Sequence, residues 1–127
     1  MDNSILSYPI RGPYGEANYR GNCSGYVIKD ILEYYKPNKF LECFAGSGTG
    51  YDVAKMLGYY NSIHLDLNPR FGEFNLLKDE LPKGSDFVFS HPPYWNIVKY
   101  SGPGNVWGNK IHKDDLSHIN DYNEFII

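Results

Sequence analysis

The chain is poor in cysteine, in excess basic charge and in long apolar runs. Cys23 and Cys43 are the two cysteines among 127 residues, too few for a disulfide scaffold, so the simpler setting is a reducing, cytoplasmic one. No apolar run approaches the roughly 18 residues that a membrane span requires, and no membrane role is expected. Residues Met1 to Tyr14 lack a basic start followed by an apolar core, which excludes a secretory signal at that position. Lysine and arginine number 12 against 15 acids, a net charge of −3, which argues against a histone-like or tail-driven nucleic-acid binder. Residues 1–60 carry six bases and six acids, and residues 61–127 six bases and nine acids. No phosphate-tracking stripe stands out. His91, His112, Cys23 and Cys43 have no recognised metal-ligand spacing, and no metal is expected.

What is present fits a single folded unit. The length suits one domain, and 42% hydrophobic with 21% charged residues is the composition of a globular chain. Tyrosine supplies 12 of the aromatic residues. Its apolar ring and polar tip suit half-wet grooves as well as cores.

Residues 1–22, rich in Gly, Pro, Asn and Tyr without a period, read as an irregular arm. Val27, Ile28, Ile31, Leu32 and Tyr35 then fall at helical spacing, with Ser24 placed to cap the start and Pro37 to stop the continuation. A strand is expected over Lys39–Cys43, a glycine turn over Ala45–Gly50, and a second helix presenting Val53, Met56, Leu57 and Tyr60. Ser62–Leu67 and Ser85–Ser90 read as further strands, closed by Asn68-Pro69 and by His91-Pro92-Pro93. Residues 97–113 read as a loop. The tail reads as a helix from Asp114, with Ser117 as a cap and Tyr122, Phe125 and Ile126 on one face. Strand, glycine turn, helix, strand is a βαβ start, which predicts an α/β fold on a largely parallel sheet.

Phe44-Ala45-Gly46-Ser47-Gly48-Thr49-Gly50 follows a strand and opens a helix. Glycines there let the backbone approach a ligand and leave helix-start N–H groups free. Asp66 ends the next strand about 20 residues later, where a carboxylate meets ribose hydroxyls in nucleoside-binding α/β folds. A phosphate loop is excluded because no Gly-Lys-Ser/Thr follows. The dinucleotide fingerprint is excluded because the third glycine comes one residue early. The competing reading is a tight structural turn with Asp66 capping it.

Ser90-His91-Pro92-Pro93-Tyr94-Trp95 lies at the carboxyl end of a strand, the edge where open α/β sheets bind ligands. Two prolines fix the backbone and leave rigid carbonyl acceptors. His91 and the Pro92 carbonyl can accept N–H bonds from a planar amine while Tyr94 stacks on its ring. The competing reading is a rigid exit loop with a core tyrosine. Tyr19, Tyr26, Trp95, Tyr100 and Trp107 are candidates for the pocket border, and Tyr19 with Arg20 for a cover over it. His64 reads as a packed strand residue, His112 and His118 as solvated, and Asp114-Asp115 as a helix start.

Phe44-Ala45-Gly46-Ser47-Gly48 together with Pro92-Pro93-Tyr94-Trp95 resembles the paired signature of the S-adenosylmethionine-dependent DNA amino-methyltransferases, the N6-adenine and N4-cytosine methylases. Leu41-Glu42-Cys43-Phe44 resembles the family's Leu-Asp-Pro-Phe, Asp66-Leu67-Asn68-Pro69 its ribose-binding motif, and Phe74-Asn75-Leu76-Leu77 its adenine-contacting segment. The Ser24–Tyr35 helix is similar to the family's cofactor-flanking helix, and Asp115 to Phe125 to the helix after the catalytic loop. The resemblance implies a Rossmann-like class I methyltransferase sheet and S-adenosyl-L-methionine as cofactor. It places Glu42, Phe44, Ala45, Gly46, Ser47, Gly48, Asp66, Leu67 and Asn75 around the cofactor, and His91, Pro92, Pro93 and Tyr94 around the target amine.

The chemistry implied is direct displacement, in which an exocyclic amine of a DNA base, adenine N6 first, attacks the sulfonium methyl group. His91 stands where the family has Asp, Asn or Ser, so activity is expected to fall when His91 is protonated. The family's sheet has seven strands, and residues 1–127 are expected to represent its first half, a single partial domain. That leaves Ser85–Ser90 as an apolar edge strand, for which a second copy or a complementary chain is the expected partner. Two other readings stay open: a cofactor-binding remnant or assembly module without turnover, and an amino-methyltransferase acting on RNA or a protein glutamine.

Overall fold

A computed structural model describes residues 6–16, 23–93, 99–102 and 110–126. The order of elements is α1 (Gly25–Tyr35), β1 (Phe40–Glu42), α2 (Thr49–Met56), β2 (Ile63–His64), β3 (Phe87–Phe89) and α3 (Tyr122–Ile126), with 3₁₀ turns at Pro69–Phe71 and Leu116–His118. The three strands form a parallel sheet in the order β2-β1-β3. The α/β character and parallel pairing expected from the sequence are present.

β1 is the centre strand, and all three of its residues are buried. The chain leaves β1, crosses through α2 and pairs β2 on one side, then returns to pair β3 on the other. The carboxyl end of β1 is therefore a point where strand order reverses, the position at which parallel sheets open a crevice.

Ser24 caps α1 by accepting the Tyr26 N–H, as its sequence position predicts. Ile28 and Leu32 face inward and meet Phe40, Val53 and Ala54 in the core. Tyr35, expected on the same face, is largely exposed, although its ring stands 5.6 Å from that of Phe87. The face expected for α2 needs correction. Val53 and Ala54 are sealed, whereas Met56 and Tyr60 are 51% and 83% exposed. The helix ends at Met56, so Tyr60 lies beyond its last turn.

The arm is irregular but docked. Tyr14 belongs to the core cluster, and Gly25 is its seat, since a Cβ at position 25 would overlap the Tyr14 ring. The Gly25 N–H donates to Arg11 O at 2.9 Å, Ser24 Oγ to Ile10 O at 2.9 Å, and the Gly15 N–H to Asp52 at 2.7 Å. The expected tail helix from Asp114 is instead two pieces. Asp115, not Ser117, caps the 3₁₀ turn, and α3 starts later, with the Asn123 and Glu124 N–H groups donating to Asp121. β3 lies at the sheet edge, and Val88 is 55% exposed there. Among the described residues no helix is long and apolar enough to cross a membrane.

Candidate functional site

A crevice opens at the carboxyl ends of β1, β2 and β3, with an interior of about 100 Å³ beneath an open mouth. Glu42, Phe44, Ala45 and Gly46 line it from the turn after β1, Asp66 and Leu67 from beyond β2, Asn75 from the following loop, and His91 and Pro93 from beyond β3. These sequence-predicted residues come from four separate stretches and meet in one cavity. Ser47, Gly48 and Pro92 do not line it. Ser47 is buried against the arm, accepting the Glu16 N–H at 3.1 Å through Oγ. Gly48 caps α2 on the side of Arg70 and Phe71. Pro92 is exposed. Tyr94 lies outside the described residues, as do Tyr19, Arg20, Trp95 and Trp107.

Three N–H groups of the turn ahead of α2 are engaged within the chain. The Ala45 N–H donates to Leu65 O at 3.0 Å, that of Gly46 to Asp66 Oδ2 at 2.8 Å, and that of Gly48 to Ala45 O at 2.9 Å. Asp66 also accepts the Asn68 N–H at 2.7 Å. The structural role weighed for Asp66 is thus present, and the residue still faces the pocket. Burial pushes its carboxyl up from the ordinary value, against the pull of the Asn68 and Gly46 N–H groups.

The described lining residues include four acids, Glu42, Asp66, Asp114 and Asp115, and no lysine or arginine. A pocket with this lining repels a phosphate through its acids. It favours a ligand that carries positive charge and hydrogen-bond donors. The acids are not equal. Asp114 is 3.1 Å from Lys78. Asp115 is enclosed by donors: Ser101 N–H at 2.9 Å and Oγ at 2.6 Å, Ser117 N–H at 2.9 Å and Oγ at 2.6 Å. Burial raises its carboxyl, but those donors outweigh it and the net displacement is downward.

Sequence reasoning passed over several of these groups. Asn75, expected against an adenine ring, donates to Asp114 at 2.7 Å and accepts the Leu77 N–H at 3.0 Å, so Asp114, expected at a helix start, is instead a turn residue in the pocket wall. His118, expected in solvent, donates from Nε2 to Ser101 O at 2.8 Å. His64 is packed as expected, but it is also bonded to Glu42 at 2.7 Å. The parallel register that sets Glu42 beside His64 is the signal for that pair.

Two features bear on chemistry. Burial lowers the His91 pKa from 6.5, which keeps its imidazole neutral and able to accept a hydrogen bond at pH 7. Burial, with the Glu42 charge adding to it, pushes the Cys23 thiol up to about 11, and burial and the Glu42 charge likewise raise Cys43. Both pocket thiols are therefore protonated and poor nucleophiles. Among the described residues no group of three or more His, Cys, Asp or Glu could hold a metal ion. No protein-family model matches the chain, nor does any curated protein or solved structure.

Proposed function

We propose that the chain is a methyltransferase domain on a Rossmann-like sheet. In this reading it binds S-adenosyl-L-methionine at the carboxyl edge and acts on an exocyclic amino group, adenine N6 of DNA first. The observation that carries the reading is the acid-lined crevice at the strand-order reversal, to which Glu42, Phe44, Ala45, Gly46, Asp66, Leu67 and Asn75 contribute from the stretches that resemble the family's cofactor motifs. A sulfonium nucleoside is cationic at sulfur and at its amine and carries donor hydroxyls, which matches that lining. Nicotinamide dinucleotides and nucleoside triphosphates carry phosphates, which it does not match.

When bound, the cofactor supplies an electrophilic methyl group. The chain's own part is to bind and align. Glu42 and Asp66 offer acceptors at the crevice floor. His91, neutral at pH 7, offers an acceptor toward an incoming amine, which localises a lone pair otherwise drawn into the aromatic ring. Holding amine and methyl in line supplies most of the remaining acceleration. Neither pocket cysteine is activated, which accords with direct displacement and with no covalent enzyme intermediate. A duplex substrate requires the base to be flipped out at a cost of a few kcal/mol. The exposed edge of β3 supports a second copy or a complementary chain as partner. The reading places the chain in the cytoplasm.

The test is label transfer from methyl-labelled cofactor to DNA, RNA and protein in parallel, together with sedimentation at high concentration. Label on adenine in DNA supports the reading, and label on RNA or protein alone moves the substrate. Cofactor binding without transfer to any acceptor identifies a remnant that has kept the pocket and lost the reaction.

A further inference from the structure

Glu42 is the most deeply placed acid of the crevice. Its side chain and that of His64 are each 4% exposed. The parallel register sets the two residues side by side at the ends of β1 and β2, and His64 Nδ1 lies 2.7 Å from Glu42 Oε2. Oε1 accepts no hydrogen bond among the described residues, and Glu42 lines the pocket. One carboxylate oxygen is therefore held from behind while the other has no partner among the described residues.

The far side of the imidazole is fixed as well. Ser62 Oγ donates its one proton to Tyr59 O at 2.8 Å, so toward His64 it can only accept. The 2.8 Å contact between His64 Nε2 and Ser62 Oγ therefore requires a proton on Nε2. A further proton lies between Nδ1 and Oε2, since two bare acceptors at 2.7 Å would repel. The pair is net neutral whichever atom holds that proton, which avoids the cost of an unpaired buried charge. The ring is also wedged. Phe40 and Tyr51 meet it edge to face, with ring centres 5.5 Å and 5.4 Å away. Gly50 completes the seat, since a Cβ at position 50 would overlap the Glu42 carboxylate.

Resting on the cofactor reading above, we propose that His64 is a positioning residue. Through the Ser62–His64–Glu42 chain it anchors Oε2 and presents Oε1 to the cationic amine at the amino-acid end of the cofactor. His64 itself touches no ligand. A residue that merely packs the strand would affect every ligand of the crevice alike, whereas a residue that aims Oε1 affects only ligands bearing the amine.

The test compares two nucleosides that share adenine, ribose and a neutral sulfur: S-adenosylhomocysteine, which carries the amino-acid end, and 5′-methylthioadenosine, which lacks it. Calorimetry is run on the wild type, His64→Ala, His64→Gln and Gly50→Ala. The expected result is a loss of at least tenfold in S-adenosylhomocysteine affinity for His64→Ala and Gly50→Ala, with 5′-methylthioadenosine affinity unchanged within twofold. His64→Gln, whose amide can still donate to Oε2, recovers most of the loss. Binding of 5′-methylthioadenosine reports that each variant is folded, and Gly50→Ala decides if His64→Ala does not fold. Equal losses for both nucleosides, or no loss for either, overturn the positioning role alone. Wild-type protein that binds neither nucleoside overturns the cofactor reading and the positioning role with it.

Discussion

Asp66 Oδ2 accepts the Gly46 N–H at 2.8 Å, so the acid just beyond β2 holds the glycine turn that follows β1. One side chain thereby joins the two halves of the crevice floor. Asp66→Ala is expected to lower stability by about 1–3 kcal/mol, the usual penalty for leaving a buried donor unsatisfied. It is also expected to weaken cofactor binding by at least tenfold. Urea denaturation and calorimetry on the same preparation check both effects. A loss of stability with unchanged affinity would assign Asp66 to the turn alone.

Asp115 is the knot of the chain's last third, with four donors from Ser101 and Ser117 on its carboxylate. Asp115→Asn replaces one acceptor oxygen with a donor that faces other donors. A cost of about 3 kcal/mol is expected from the broken charged hydrogen bonds, read as a shift in the urea midpoint with little change in slope.

The same residue predicts a pH dependence. Its carboxyl titrates lower in the folded chain than in the unfolded one. Its contribution is therefore complete above the ordinary carboxylate value, about pH 4, and is lost as pH falls through the lowered folded value. The stability gap between wild type and Asp115→Asn should be constant from pH 7 to about pH 5 and should close below about pH 4. Glu42 and Asp66 act in the opposite sense, because burial raises both. A gap that stays constant through the acid range would show that the Asp115 charge is immaterial.

His91 gives a second pH signature. Burial lowers its pKa, so methyl transfer should stay level from pH 8 down to about the ordinary histidine value and decline below it. The fold should also lose stability on the acid side of that value, since protonation favours the unfolded chain. His91→Asn offers an amide oxygen that accepts at any pH, and its rate profile should lack the acid limb. An unchanged limb would move the titration to another group.

The start of α1, the glycine turn and the shared pocket were legible because they rest on local chemistry. Ser24 beside an apolar period marks the start of α1, and glycines between a strand and a helix mark the turn. The strand-end positions of Glu42, Asp66 and His91 follow once the strands are parallel. What stayed hidden depends on register or on distant donors. Glu42 and His64 are 22 residues apart, and only the pairing of β1 with β2 brings them together. Gly50 looks like a misplaced fingerprint glycine until the Glu42 carboxylate is seen against it. Ser117 has the composition of a cap, yet it is fully buried because Asp115 two residues earlier takes that role and draws it inward. Met56 and Tyr60 fit a helical period on paper, but α2 stops at Met56.

An acid-lined crevice that takes a cationic sulfonium nucleoside should reject phosphates. Calorimetric titration of the wild-type chain with S-adenosylmethionine, and separately with ATP and with NAD, tests it most directly. One molecule of S-adenosylmethionine bound per chain is expected, with no heat of binding from either phosphate-bearing ligand. Binding of ATP or NAD in preference to S-adenosylmethionine, or no binding of S-adenosylmethionine at all, would contradict it.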